Sequence, residues 1–144
     1  MALIVKSPRL FASIDREGVT PESLNPLLVK LRQPARDLHK FDLALQHSLL
    51  CITLRQVKDS TIVGFVRLVG DGIFNVIVWD FVVDPDLPQR EAAKLLLVER
   101  LKREIRRQFG QCSVSVFASP QDVPIWQQAE FIPDQRGVRA MVLH

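Results

Sequence analysis

The residues with the clearest capacity for chemistry lie where an apolar run meets a helix start. They are Asp80-Phe81-Val82-Val83-Asp84-Pro85, followed within a few positions by Gln89 to Lys94. The first turn of a helix carries backbone N–H groups without intrahelical partners and a partial positive charge, so this junction is suited to an anion such as a diphosphate. Every α/β protein has such junctions, so this one does not define a function on its own. Other chemistries find less support. His39, His47 and His144 are scattered along the chain, so no metal site is expected. There is no G-x-S-x-G elbow, no Walker loop and no G-x-G-x-x-G. The basic run Lys102-Arg103-Glu104-Ile105-Arg106-Arg107 falls at the end of a long helical pattern, where cations complement the helix dipole by about 0.3–1 kcal/mol each. With no tyrosine and 7% aromatic residues, platforms for stacking bases are scarce, and nucleic acid is not the expected partner.

The elements that must position this junction can be read from periodicity. Thr20-Pro21-Glu22 has a hydroxyl cap, a proline at the first helical position and an acid in the first turn. Leu24, Leu27, Leu28 and Leu31 continue that helix until Pro34. A second helix is expected from about Ala35 to His47, with Leu38, Phe41 and Leu45 on one face. The period then changes to three hairpin-linked strands: Leu50 to Leu54, Thr61 to Val69, and Ile73 to Val83 after the turn Gly70-Asp71-Gly72. A long helix over Gln89 to Phe109 should turn Leu97, Val98, Leu101 and Ile105 inward and Lys94, Arg103, Glu104 and Arg107 to water. A further strand over Cys112 to Phe117, a short helix over Asp122 to Glu130 capped by Ser119 or Asp122, and a last strand over Val138 to Leu143 complete the order. The expected class is α/β or α+β, a layered sheet with helices packed on it.

Composition sets the outer bounds. A chain of 144 residues with 47% hydrophobic and 24% charged residues is one domain, 1–144, too short for two ordinary cores. The net charge of +3 is too small to imply a polyanionic partner. Cys51 and Cys112 are expected to be buried reduced thiols. Ala2 to Val5 is broken at once by Lys6, Pro8 and Arg9. The longest apolar region is interrupted by Arg67, Asp71, Asn75 and Asp80, whereas a membrane span needs about 20 nearly uncharged residues. A cytoplasmic protein without a membrane partner is expected.

Three runs carry a family resemblance: Ile62-Val63-Gly64-Phe65-Val66-Arg67, Asp71-Gly72-Ile73-Phe74-Asn75, and Trp79-Asp80-Phe81-Val82-Val83-Asp84-Pro85. With the ending Ile125-Trp126-Gln127-Gln128-Ala129-Glu130-Phe131-Ile132-Pro133-Asp134, they resemble the GNAT acetyltransferase superfamily, in particular its cyanobacterial and chloroplast branch. The similarity spans nearly the whole chain after about Thr20. It implies a mixed, mostly antiparallel central sheet flanked by helices, with acetyl-CoA bound where two neighbouring strands splay. Backbone groups of Phe81, Val82 and Val83 would pair with the pantetheine arm. The diphosphate would rest on the helix start formed by Gln89, Arg90, Ala92, Ala93 and Lys94. An amine would approach from the opposite side and attack the thioester directly.

Two departures from the family pattern accompany the match. The family's diphosphate loop reads Q/R-x-x-G-x-G/A, and the aligned residues are Pro88-Gln89-Arg90-Glu91-Ala92-Ala93, of which only Ala93 fits. Pro88 has no N–H. Glu91 brings a carboxylate toward the diphosphate, a repulsion of about 1 kcal/mol at 4 Å in water and about 4 at an effective dielectric of 20. Where many members carry a tyrosine that protonates the departing thiolate, this chain has Trp126, a donor but not an acid. Asp80 is the first candidate for a general base, the alternative being a carboxylate that hydrogen-bonds neighbouring backbone or a buried indole. Strand alternation places Asp80 with Val78 and Val82, opposite Trp79 and Phe81, and an apolar face would raise its pKa. The reading is an acetyl-CoA-dependent N-acetyltransferase acting on an amine. Its alternative is a catalytically degenerate GNAT-fold pseudoenzyme that serves as a binding or assembly module. The apolar C-terminal residues Val138, Met141 and Leu143 are core or the interface of a homodimer.

Overall fold

The computed structural model describes residues 8–14 and 19–144. Its strands are β1 (Leu10–Ile14), β2 (Leu50–Gln56), β3 (Ile62–Val69), β4 (Asn75–Val83) and β5 (Ser113–Val116). Its helices are α1 (Pro21–Lys30), α2 (Leu38–Gln46), α3 (Arg90–Gln108) and α4 (Val123–Gln128), the last entered through a single 3-10 turn over Pro120–Asp122. The strands form one sheet in the order β1-β2-β3-β4-β5. All pairs are antiparallel except β4–β5, whose parallel pairing requires the crossover that α3 supplies.

Local chemistry explains the boundaries. The Thr20 hydroxyl accepts from the Ser23 N–H (3.2 Å) and the Ser23 hydroxyl accepts from the Thr20 N–H (3.0 Å), a reciprocal cap that starts α1. Asp37 caps α2 through the Lys40 N–H at 2.9 Å. In the β3–β4 turn, Asp71 Oδ1 accepts from the N–H groups of Ile73, Phe74 and Asn75, each at 2.8 Å. Gly70 makes that turn possible: its φ is +127°, and a Cβ there would lie 2.5 Å from the Asn75 carbonyl oxygen.

The sheet buries both faces. On one side Ile52, Leu54, Val66, Leu68, Val76 and Val78 pack against Leu97, Val98 and Leu101 of α3 and Trp126 of α4. On the other, Phe65 and Val82 meet Leu24, Leu27 and Leu28 of α1 and Phe41 of α2. Burying each such side chain contributes about 1.5–3 kcal/mol.

Several expectations are corrected. β1 was not expected; it pairs with β2 from Leu10↔Gln56 to Ile14↔Ile52. The expected strand over 138–143 is not formed, and that segment is exposed. Lys94 and Glu104 do not face water: each is 3% exposed, because Lys94 is paired with Asp122 and Glu104 with Arg100 and Arg107. Asp122 does not cap α4 with its side chain, since that carboxylate is engaged by Lys94 and the Ser119 hydroxyl. Cys51 and Cys112 are outside any disulfide, as expected, but only half-buried. Among the described residues no helix is long and apolar enough to cross a membrane.

Candidate active site

The site is built by two strands that part. β4 and β5 pair only from Asn75↔Ser113 to Val78↔Val116. Beyond that point β4 runs on through Val83 while the chain after β5 turns away into Ser119 and the 3-10 turn. A cleft of about 260 Å³ opens between them, lined by Trp79 to Val83, Arg90, Lys94, Phe117, Ser119 and Trp126 among others.

Strand alternation decides which backbone groups face the cleft. The Asp84 N–H donates to the Val63 carbonyl on β3 (2.7 Å), so Asp84 and Val82 direct their backbone groups to β3. Phe81 and Val83, between and before them, direct theirs to the open side. Of the three residues expected to pair with a pantetheine arm, two therefore present a free edge and Val82 does not. The Val83 carbonyl is capped by the Arg90 guanidinium, from Nη2 at 3.0 Å and Nε at 3.3 Å. Arg90 thus reaches from the first residue of α3 into the cleft.

The α3 start is altered as its sequence implies. Gln89, just before the helix, has φ +54° and makes no side-chain cap. The N–H groups of Arg90, Glu91 and Ala92 have no intrahelical partner. Ala93 is buried, and its N–H donates to the Gln89 carbonyl at 3.1 Å. The exposed Glu91 carboxylate lies 3.4 Å from Lys94 Nζ, whose closer partner is Asp122 Oδ1 at 2.6 Å. The free edge of β4 fits the amide groups of a pantetheine arm. The α3 start offers a diphosphate its N–H groups, together with one carboxylate that opposes it. Among the described residues no group of three metal-ligating side chains is present.

Asp80 lies beside the cleft, but its environment differs from the expected one. β3 and β4 shift register by one residue between Phe65↔Val82 and Arg67↔Trp79, and Asp80, with φ +54°, sits in that bulge. The extra residue puts Trp79 and Asp80 on one face and moves Phe81 to the face of Val78, so the simple alternation fails there. Arg36 grips Asp80 in a fork, Nη1 to Oδ2 and Nη2 to Oδ1, both at 2.7 Å, and Arg67 Nε donates to Oδ2, also at 2.7 Å. Burial alone pushes the Asp80 carboxyl up, but the hydrogen bonds and charges of Arg36 and Arg67 outweigh it and hold the group below its ordinary value. The expected rise is therefore reversed. Those arginines are themselves held. Asn25 clamps the Arg36 backbone through two 3.0 Å bonds, the Arg36 guanidinium lies 4.8 Å from the Phe41 ring centroid, and Arg67 Nη1 donates to the Ser48 hydroxyl.

Arg36 and Arg67 were not among the expected site residues. Arg67 carried a signal: a lone cation inside an apolar strand needs a counter-charge, and Asp80 is the acid of the next strand. Arg36 lies in a loop with no such pattern. At the fork of the splay Trp79 and Phe117 meet edge to face, 5.6 Å between centroids, and both are exposed. Trp126 is buried between Phe81 (4.9 Å) and Phe131 (5.1 Å), so it acts as a packing residue of the cleft floor.

A sheet of this order, with a parallel β4–β5 pair that splays beside a bulge and a crossover helix starting at the mouth, defines the acetyltransferase class of fold. A staphylococcal probable acetyltransferase superposes with a TM-score of 0.79, 19% identity, and 94% of this chain and 99% of its own covered. A GNAT family protein of Streptococcus pneumoniae gives 0.73 and 21%, with 94% and 98% covered. By sequence, GCN5-related N-acetyltransferase 1, chloroplastic, of Arabidopsis thaliana is 32% identical over 126 residues, 88% of this chain and 63% of that protein. An uncharacterized N-acetyltransferase of Porphyra purpurea is 34% identical over 108 residues, 74% and 61%. No family model matches the chain. With these relatives and this fold, the chain belongs to the GCN5-related N-acetyltransferases, the GNAT superfamily, and its relatives include chloroplast forms. It spans about three-fifths of the length of the curated relatives it matches.

Proposed function

We propose that the chain, as a single domain, transfers an acyl group from the thioester of acetyl-CoA to an amine. The observation that carries this reading is the open edge of β4 past Val78, where Phe81 and Val83 face a cleft that β5 has left. When bound, the thioester would supply an activated carbonyl. The amine nitrogen would form the new C–N bond as the C–S bond breaks, and the proton the nitrogen sheds would balance the departing thiolate, which leaves as CoA–SH. The residues' part is positioning. Phe81 and Val83 hold the arm by backbone groups, with Arg90 released from Val83 to accompany it. The N–H groups of Arg90 to Ala92, with Lys94 close by, face the diphosphate. Trp79 and Phe117 form the apolar wall along which the acceptor approaches on the α1–α2 side. Asp80, committed to two guanidinium groups, is assigned as a positioning residue that fixes the bulge rather than as the base.

Calorimetric titration with acetyl-CoA and with CoA, at low and moderate salt, tests the reading. Micromolar binding of both ligands, weaker at higher salt, is expected. No heat at millimolar ligand overturns it. The second reading, a retained fold used as a binding module, draws on the Glu91 carboxylate at the α3 start, and such a null titration would put it first.

A further inference from the structure

A thiolate released in the cleft must collect a proton there, and few groups hold one to give. Four titratable side chains line the cleft: Asp80, Arg90, Lys94 and Asp122. Asp80 is a carboxylate committed to two guanidinium groups. Arg90 keeps its proton, because a guanidinium stays charged in proteins. Asp122 is the anionic partner of Lys94, its Oδ1 2.6 Å from Nζ. Its Oδ2 accepts from the Ser119 hydroxyl at 2.9 Å, so the one hydroxyl of the lining has its proton engaged. Trp126, where the family resemblance places an acid, has only an indole N–H, a donor that does not ionise. Lys94 alone remains.

The surroundings of Lys94 suit a donor. Its side chain is 4% exposed, and a buried ammonium is tolerated when paired. It is held from both banks of the cleft, by Asp122 in the segment after β5 and by Glu91 Oε1 on α3 at 3.4 Å. An ammonium carries three N–H groups and these carboxylates take two. Among the described residues the third has no partner. Asp122 stands four residues before Trp126, one turn back along α4, so the ion pair draws the Lys94 ammonium toward that turn.

We propose that Lys94 is the catalytic acid of this cleft, the group that protonates the departing sulfur. The proposal rests on the acyl-transfer reading above. As the C–S bond breaks, its electron pair stays on sulfur, and Lys94 Nζ gives up its third proton to form CoA–SH. The neutral Lys94 amine then regains a proton, through solvent, from the one the acceptor nitrogen sheds. In water an alkylammonium and a phenol are acids of similar strength, so a lysine can stand where no tyrosine is present. Asp122 and Glu91 keep the ammonium in place between turnovers.

Proton donation requires Nζ within hydrogen-bond reach of the sulfur, and a charge-assisted N–H there favours the thiolate. The test titrates the thiol of bound CoA by its ultraviolet thiolate absorbance, with desulfo-CoA as the blank and saturation set by calorimetry. The parent complex is expected to titrate at least about one pH unit below free CoA. Lys94→Met/Asp122→Leu replaces the buried pair with apolar side chains, and Lys94→Gln/Asp122→Asn replaces it with a neutral hydrogen-bonding pair, so that one folded variant suffices. In either, the bound thiol should titrate at least about one unit higher than in the parent. CoA bound by the parent with its thiol titrating as in free CoA overturns this inference and leaves the acyl-transfer reading standing. A shift that survives in the double variants overturns it too. A folded double variant that no longer binds CoA places Lys94 at the diphosphate and overturns it as well. A parent that does not bind CoA overturns both readings.

Discussion

Asp80→Asn isolates the charge cluster that joins both arginines to β4. The substitution preserves shape and removes a charge that accepts three hydrogen bonds of 2.7 Å. An amide has one acceptor oxygen, so its nitrogen must face a guanidinium donor. At least one bond is lost, and two like charges remain near a neutral group. Arg36 can relax toward water, being one-third exposed in its side chain, but Arg67 cannot readily do so at 12%. A buried pair broken from one side costs about 3–5 kcal/mol, and that loss is expected in urea unfolding at pH 7. Asp80→Asn/Arg67→Met should recover at least about 1 kcal/mol, because the stranded cation is gone. The pH dependence has a definite sign. The folded carboxyl titrates below its ordinary value of about 3.9, so its contribution is complete above that value and is lost as pH falls through the folded one. The parent should therefore lose stability below about pH 4 more steeply than Asp80→Asn. An Asp80→Asn variant within about 1 kcal/mol of the parent at pH 7, or a double variant with no recovery, refutes the reasoning.

Three further outcomes follow from the α3 start. Glu91→Gly removes the carboxylate that opposes a diphosphate, and relief of about 1 kcal/mol should tighten CoA binding about fivefold by calorimetry. Unchanged affinity would mean the side chain already points clear of the ligand. Gln89→Gly relieves a left-handed backbone at a position without a side-chain cap, and chemical denaturation should show a gain of about 1 kcal/mol. Lys94→Met leaves Asp122 buried with only the Ser119 hydroxyl, a loss of about 3–5 kcal/mol in the same assay.

The parts of the fold written in local chemistry were legible. The Thr20 cap, the turn glycines around Asp71, and the stripe of Leu97, Val98, Leu101 and Ile105 each state their element in adjacent residues. The parts that depend on distant partners were not. Leu10 to Ile14 is a five-residue run whose strand character rests on pairing with β2, more than 35 positions away. Lys94 reads as a surface charge because its partner Asp122, 28 positions on, meets it only after the helix docks. The partners of Glu104, Arg100 and Arg107, stand a turn away on α3 itself, and only its burial waits on docking. At the site, the resemblance singled out Phe81, Val82 and Val83 with Arg90 and Lys94, residues that line the cleft. The environment of Asp80 was not legible. A period-two reading cannot contain a bulge, and Arg36 arrives from a loop with no periodic signal. Residues 138–143 have the composition of a strand, yet they form none in the structure.

The bulge at Asp80 makes β4 two half-strands spliced out of phase. The half before it is addressed by β5 and the half after it by the cleft, and each keeps its own parity. A point substitution can change what a side chain offers there, but it cannot change which backbone groups look outward. Only an insertion or deletion would, and that would exchange the faces of Phe81 and Val82 together. The open edge of the cleft is therefore insulated from single-residue drift. Variation at the cleft is left to side chains such as Trp79 and Phe117, whose replacement leaves the phase intact.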